Sequence, residues 1–318
     1  MRALITILLF FTSTLPALAA SDNDALLDSL ANVLEENYVF MELGSEMAKT
    51  LRDQQAAGRY AQLEGLDLAE ALTRELRAIS NDKHLAIDYS KDGMLAPPPE
   101  METEAQRAHR MQRLREVQFG FPRAEMLPDG IGLIEITGFH SPELAGERLR
   151  EVMDIVKDAR ALVFDLRRNG GGDPAMVAAV QGYLFTERVH LNDLEFREPG
   201  TSRYITESFF AEPVRDGLRN PDLPVYVLTS DYTFSGGEEF SYNLKHLGRG
   251  TIVGEVTGGG ANPGGGFPLA EGYVAFIPTG RAVNPVTGAN WEGVGVHPDI
   301  PVPAEKAMDV VLEEIRSP

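Results

Sequence analysis

Apolar residues in positions 22–80 recur at helical spacing. Leu26, Leu27, Leu30, Val33 and Leu34 form one stripe, Leu68, Leu72, Leu76 and Ile79 another, and Met47, Ala48 and Leu51 mark a shorter helix that stops before Gly58. The pattern predicts a three-helix N-terminal bundle over 20–95. Ala96-Pro97-Pro98-Pro99-Glu100 then reads as a rigid break, and residues 101–118, charged on every side, as an exposed helix, so 96–120 is expected to be a linker with a solvated helix. From Gly130 the pattern changes to short β-rich runs, at Ile131 to Ile136, Ala161 to Leu166, Val225 to Thr229, Thr251 to Val256 and Tyr273 to Ile277. Helices lie between several of them; Ser141-Pro142 supplies a cap and first-turn proline for one, with Leu149, Val152, Met153 and Val156 as its buried stripe. This alternation predicts an α/β layered core over 121–318 with its sites at strand ends.

The first residues have a different character. Arg2, the apolar run Ala3 to Phe11 and the small-x-small sequence Ala17-Leu18-Ala19 read as a secretory signal peptide over 1–19, and the run is shorter than the ~20 residues a spanning helix needs. A periplasmic or secreted protein without a membrane span after cleavage is expected. The 318 residues include no Cys, which removes disulfides, thiolate metal sites and a cysteine nucleophile. A net charge of −19 with no concentrated basic patch argues against nucleic acid and anionic membrane surfaces as partners.

Two glycine-rich turns carry candidate chemistry. The run Val163-Phe164-Asp165-Leu166-Arg167-Arg168-Asn169-Gly170-Gly171-Gly172 is a buried strand entering a triple-glycine turn ahead of a helix from about Pro174. Consecutive backbone N–H groups beside a helix N-terminus can hold an anion, here a developing oxyanion, since GxGxxG spacing and a Gly-Lys-Ser/Thr ending are both missing; a plain tight turn also fits. In Val225-Tyr226-Val227-Leu228-Thr229-Ser230-Asp231-Tyr232-Thr233-Phe234-Ser235-Gly236-Gly237-Glu238-Glu239-Phe240, Ser235 stands at a second strand-to-helix turn with Gly236 beside it. That placement suits a nucleophile with half an oxyanion hole, or a helix cap. Thr233 breaks the GxSxG pattern, and Ser230 competes for the role.

A serine nucleophile needs a base. His246 sits eleven residues beyond Ser235 on the same helix, about 16 Å along its axis, out of reach. His109 falls in the charged helix, His140 and His190 near acidic residues, and His297 in Val296-His297-Pro298-Asp299. His84, in Ser80-Asn81-Asp82-Lys83-His84-Leu85, closes the helical bundle, where a junction residue can enter a cleft.

The pairing and order of these segments with Gly293-Val294-Gly295-Val296-His297-Pro298-Asp299-Ile300 resembles the C-terminal-processing, or tail-specific, serine peptidase superfamily. The bundle ending in Asp82-Lys83-His84-Leu85 is similar to the branch related to interphotoreceptor retinoid-binding protein. The resemblance covers nearly the whole chain after residue 19 and implies a crotonase-like α/β core in which serine attacks a peptide carbonyl. The processing branch places a lysine base in a Val-Gly-Glu-x-Thr-x-Gly-Lys-Gly segment; Val253-Gly254-Glu255-Val256-Thr257-Gly258-Gly259-Gly260 has glycine there, which leaves only the offset Lys245 for that scheme. The tricorn-like branch uses an N-terminal histidine oriented by a downstream glutamate, and His84 and Glu292 match those positions. The resemblance therefore implies Ser235 as nucleophile, His84 as base, Glu292 as orienter and the Gly171 and Gly236 N–H groups as oxyanion hole. Lys83 stands where that branch has a serine, and no PDZ module is evident between His84 and Gly130, so recognition of a substrate C-terminus is not implied.

The run Gly258-Gly259-Gly260-Ala261-Asn262-Pro263-Gly264-Gly265-Gly266 is expected to be a mobile rim of the cleft, with Gly259, Gly260 and Asn262 near substrate, or else a long hairpin connection. No cofactor and no metal is expected, since HExxH, EF-hand loops and clustered His/Asp sets are all missing from the sequence. The expected function is an exported serine peptidase acting on peptides or unfolded protein. The competing reading is a weakly catalytic or non-catalytic binder of a retinoid-like or other lipid in an apolar cleft.

Overall fold

A computed structural model describes residues 23–90, 102–214, 217, 218, 220, 222–270 and 272–316. The signal peptide and the Ala96–Glu100 break expected from the sequence lie outside the described residues.

The three expected helices form as α1 (Asp24–Asn37), α2 (Met41–Ala56) and α3 (Gly65–Ser80). Leu30, Leu34, Met47, Leu51, Leu72 and Leu76 meet in one core, each nearly or fully buried. Helix α3 stops where Asn81 turns into the left-handed region (φ 56°) and donates its N–H to Arg77 O, an αL cap that asparagine tolerates better than most residues. The chain then enters β1 (Ala86–Tyr89), and the charged helix follows as α4 (Glu104–Glu116), with Thr103 and Gln106 forming a capping box.

The core elements run β2 (Arg123–Leu127), β3 (Ile131–Glu135), α5 (Pro142–Val156), β4 (Ala161–Asp165), α6 (Pro174–Gln181), β5 (Val189–Arg197), β6 (Tyr204–Ala211), β7 (Val225–Thr229) and α7 (Gly236–His246). They continue as β8 (Thr251–Gly254), β9 (Gly264–Ala270), β10 (Tyr273–Pro278), β11 (Gly280–Val283), β12 (Ile300–Pro301) and α8 (Ala307–Arg316). The central sheet has the order β12-β8-β7-β4-β3-β2, parallel except where β2 runs against β3. Its strands are buried on both faces: Leu162, Phe164, Val225 and Val227 pack with Val152, Val177 and Phe240 of α5, α6 and α7, while Val163, Leu228 and Val253 pack with Val311 of α8. Continuous apolar runs are what such a sheet requires, and the four expected runs that fall in it are β3, β4, β7 and β8.

The remaining strands were not expected from the sequence except β10. Two smaller sheets, β1-β10-β9 and β11-β5-β6, hold most of them. Strand β9, Gly264-Gly265-Gly266-Phe267-Pro268-Leu269-Ala270, has no intrinsic strand preference and is a strand because β10 pairs along it. Strand β1 joins the other edge of β10, so Ile87, Ala275 and Ile277 share a core with Leu26 to Leu76. The helical bundle is thereby bound to the α/β core through a sheet built from both.

Arg197, at the end of β5, ties the same two parts by hydrogen bonds. It is 4% exposed, and its guanidinium donates to the backbone carbonyls of Tyr38 (2.7 Å), Thr201 (2.7 Å) and Glu35 (3.0 Å). Removing the donor orphans carbonyls that water cannot reach freely. Arg197→Met should lower the urea unfolding free energy by about 3 kcal/mol; an unchanged midpoint would show that the bundle does not depend on this tie.

Candidate active site

The glycine turns leave the C-terminal ends of β4 and β7, which are neighbours in the central sheet. In an open parallel sheet this edge is where side chains can converge on a crevice. Two threads sew the turns together: Phe234 N–H donates to Asn169 O (3.0 Å), and Thr233 Oγ1, in the position that breaks the GxSxG pattern, donates to Leu166 O (2.8 Å). Ser230 is spent on a similar contact, its hydroxyl donating to Arg167 O at 2.6 Å, so the competing serine is a structural one. Ser235 sits at the head of α7 with φ 53° and ψ −119°, a conformation that costs a non-glycine residue about 1–3 kcal/mol. It lines a cavity of about 400 Å³. Gly171 packs beneath it: a Cβ there would lie 2.6 Å from Ser235 Cβ, and Gly171 itself has φ 111°. Only glycine fits.

The strained turn is held by Glu238. This buried carboxylate accepts Ser235 N–H (2.9 Å) and Gly260 N–H (2.8 Å) on Oε2, and Thr257 Oγ1 (2.5 Å) and Gly259 N–H (2.6 Å) on Oε1. Burial pushes its pKa up, and the four donors pull it back. With two donors on each oxygen the group has no use for a proton, so it is held as the anion. The spacing Ser235-x-x-Glu238 is a capping-box signature that could have flagged it. The expected mobile rim is accordingly a pinned wall: Gly258 N–H donates to Thr233 O, Gly259 and Gly260 to Glu238, and Ala261 N–H to Glu292 Oε2 (2.5 Å), before β9 begins at Gly264. Gly260 lines the cavity, whereas Asn262 lies behind the wall, 1% exposed, its Nδ2 donating to Asp82 Oδ2 (2.9 Å).

His84 enters the cavity from the turn between α3 and β1. That turn is over-determined: Asp82 Oδ1 accepts His84 N–H (3.0 Å), Asp82 Oδ2 accepts Tyr38 Oη–H (3.2 Å), Arg77 donates to Lys83 O and Leu85 O, and Lys83 Nζ donates to Gly258 O (2.5 Å) on the glycine wall. Asp82 is a positioning residue that sequence reasoning passed over, although an aspartate two residues before the histidine is an Asx-turn signal. The imidazole packs on Phe234, with ring centroids 4.6 Å apart. Asp82, His84 and Glu292 each present a nitrogen or oxygen within 4.8 Å of the others. Asp82 already serves three donors, so the cluster orients a base better than it would ligate a cation. His84 Nδ1 and Glu292 Oε1 are both buried without a partner; among the described residues no hydrogen bond joins the His84 ring to Ser235 or to Glu292. Burial draws the His84 pKa below its ordinary value, against the pull of Asp82, and burial together with Asp82 pushes Glu292 up to about 7.

Position 260, where the resemblance would have a lysine, is closed to a side chain. A Cβ there would lie 2.2 Å from Phe234 Cζ and 2.8 Å from His84 Cε1, so the imidazole and Phe234 fill the space a side chain would need. Lys245, ten residues beyond Ser235, is committed elsewhere, its Nζ donating to Asp299 Oδ1 (2.5 Å) and His297 O (2.8 Å). His190 pairs with Asp193 and His246 packs on Tyr242, both outside the cavity lining. Of the two expected oxyanion donors, Gly236 N–H stands at the first position of α7, where a helix leaves donors unpaired. Gly171 N–H is directed at Asn169 Oδ1 (2.8 Å), and the adjacent Gly172 is the glycine of that turn lining the cavity.

Residues 130–302 match the family model described as Peptidase family S41. The chain belongs to that family. Residues 18–120 of this S41 peptidase match a second model, the N-terminal domain of Peptidase_S41 in eukaryotic IRBP. Among solved structures, a putative peptidase from Parabacteroides merdae is similar over 93% of this chain and 98% of its own, at 18% identity and TM-score 0.67. The photosystem II D1 C-terminal processing protease is similar over 90% and 94%, at 15% identity and TM-score 0.54, and mature CPAF over 92% and 96%, at 13% identity and TM-score 0.58. The fold is the crotonase-like core that the sequence resemblance implied, and the protein is a serine-type peptidase. Among the described residues, no helix is long and apolar enough to cross a membrane.

Substitution at position 260 tests the packing of the His84 ring. Gly260→Ala should displace the His84 ring and lower kcat/KM on a peptide substrate about 10²-fold; undiminished turnover would mean that the ring is not held where the reaction needs it.

Proposed function

We propose that this S41 peptidase is exported and cleaves peptide bonds through an acyl-enzyme, with Ser235 as nucleophile, His84 as general base and acid, and Glu292 as orienter. The observation that carries the reading is the place of the His84 ring, over the glycine that stands where a lysine base would be, on the cavity that Ser235 lines and within reach of Glu292. In the first half-reaction Ser235 Oγ bonds to the carbonyl carbon while its proton passes to His84, which then gives that proton to the departing amine. Water repeats the sequence against the acyl-enzyme and releases the acid. Glu292, behind the ring, stabilises the imidazolium that forms in each step. The oxyanion is received by Gly236 N–H and the Gly171–Gly172 turn; one such donor contributes about 10²–10³ in turnover. Binding a substrate tightens the contacts from His84 to its two partners, as catalytic hydrogen bonds commonly close only in the complex. Export rests on the Arg2, Ala3–Phe11 and Ala17-Leu18-Ala19 pattern, and the substrates are peptides or unfolded segments able to enter a cavity of about 400 Å³.

A fluorophosphonate probe should label the native protein and leave Ser235→Ala unlabelled. Equal labelling of both would remove Ser235 as nucleophile.

The pH profile follows from the two shifted groups. Turnover needs neutral His84 and ionised Glu292; His84 is held low by burial, so Glu292, near 7, sets the acid limb. As pH falls through about 7, Glu292 takes up a proton and kcat/KM should decline. Glu292→Gln should lower the plateau by about 10²–10⁴ and move the limb below 6.5. A native profile that stays flat from pH 5.5 to 8 would refute this division of roles.

A further inference from the structure

The cavity under Ser235 contains an acid that neither the triad nor the fold employs. Glu239 follows Ser235, the N-cap of α7, by four residues and stands in the first turn of that helix, and both residues line the cavity. It lines the cavity yet is only 4% exposed, and its Oε1 is buried with no hydrogen-bond partner. Asn192 of β5 lies beside it, fully buried, and both polar atoms of that side chain also lack partners. Among the described residues no lysine or arginine lines the cavity, and Pro174, Leu194, Ala282 and Trp291 give it apolar walls. Burial pushes the Glu239 carboxyl up to about 8, with Asn192 opposing and Asp173 adding to the shift. Native proteins pair buried carboxyls, because an unpaired one forfeits its solvation without return. Glu238, its neighbour in sequence, has four donors; Glu239 is left for a partner from outside.

We propose that Glu239, backed by Asn192, is the specificity-determining residue at the floor of the pocket that receives the side chain of the residue whose carbonyl Ser235 attacks, and that this side chain is cationic, lysine or arginine. A long aliphatic stem lies along the apolar walls, and its charged head meets the carboxyl one helical turn below the nucleophile. As the cation arrives Glu239 releases its proton to solvent and the two form a buried ion pair, with Asn192 donating to the carboxylate.

The inference rests on Ser235 being the nucleophile, so the test separates the two. Diphenyl aminophosphonate esters carrying a lysine, norleucine or glutamine side chain are reacted with the full chain, and the labelling rate at Ser235 is measured. The lysine reagent should react at least about tenfold faster than norleucine, which matches its stem and lacks its charge, and Glu239→Gln should bring the ratio to within about twofold. Equal rates in the native protein, a glutamine reagent faster than lysine, or a ratio retained in Glu239→Gln would overturn the inference. The ratio compares two reagents on one protein, so partial unfolding of the variant cancels; if Glu239→Gln does not fold, the native ratio decides. A fluorophosphonate that labels native protein showing no lysine preference sinks only this inference, whereas one that fails to label Ser235 sinks the nucleophile itself.

Discussion

The site depends on one buried carboxylate. Glu238 gathers the N–H of the strained serine, two amides of the glycine wall and the hydroxyl of Thr257, and Thr257 in turn accepts Val296 N–H at 2.7 Å from the late Gly293–His297 segment. Three stretches of chain, distant in sequence, are fixed to one another by a single side chain whose desolvation is offset by four donors. The positive φ of Ser235 persists because its surroundings leave it no other conformation. Steric fit adds to this at Gly171 and Gly260, where the nearest atoms belong to Ser235, Phe234 and His84.

The second half of the site comes from the other part of the molecule. His84 stands on a turn that belongs to the helical bundle by sequence and to the cavity by position, and the β1–β10 pairing, the Arg197 ties and the Lys83 contact to Gly258 O bring it there. Bundle packing and the shape of the cavity are therefore one problem: whatever loosens the sheet shared by the two parts moves His84 relative to Ser235. Asp82 is the hinge of that arrangement, since its two oxygens join α1 through Tyr38, the histidine turn through His84 N–H and the glycine wall through Asn262.

Burial makes the chemistry and also divides it. Three glutamates within or around the cavity, Glu238, Glu239 and Glu292, all have their pKa values raised by loss of water, yet their partners give them different tasks. Four donors keep Glu238 an anion and a brace. Glu292 accepts Ala261 N–H on Oε2, while its Oε1 is buried without a partner, and the carboxylate lies in the cluster with Asp82 and His84. Glu239 has no donor in hydrogen-bond geometry on its buried oxygen. Identical side chains thus reach different states, one with four donors and two with a buried oxygen left unpaired, according to what surrounds them.

Much of this was legible in the chain. Helical periodicity marks α1, α2 and α3, continuous apolar runs mark β3, β4, β7 and β8, and the two glycine turns announce Ser235 and its setting, because these signals are local and strong. The strands β5, β6 and β9 were not legible: β6 is exposed over Ile205 to Ser208, half its length, β9 is rich in glycine, and pairing partners make them strands. The glycine at position 260 stands where the resemblance would have a lysine, while the crowding there by the Phe234 and His84 rings includes a contact over 176 residues of chain that spacing cannot express. Sequence by itself determined the helices, the central strands and the two glycine turns, since those follow from periodicity and from residues adjacent in the chain, and its resemblance to a peptidase family supplied the class of chemistry. Tertiary structure alone decided that Ser230 is structural, that Glu238 pins the wall and that Glu239 is left open, because each depends on which donors and acceptors long-range folding brings within 3 Å or so of one another.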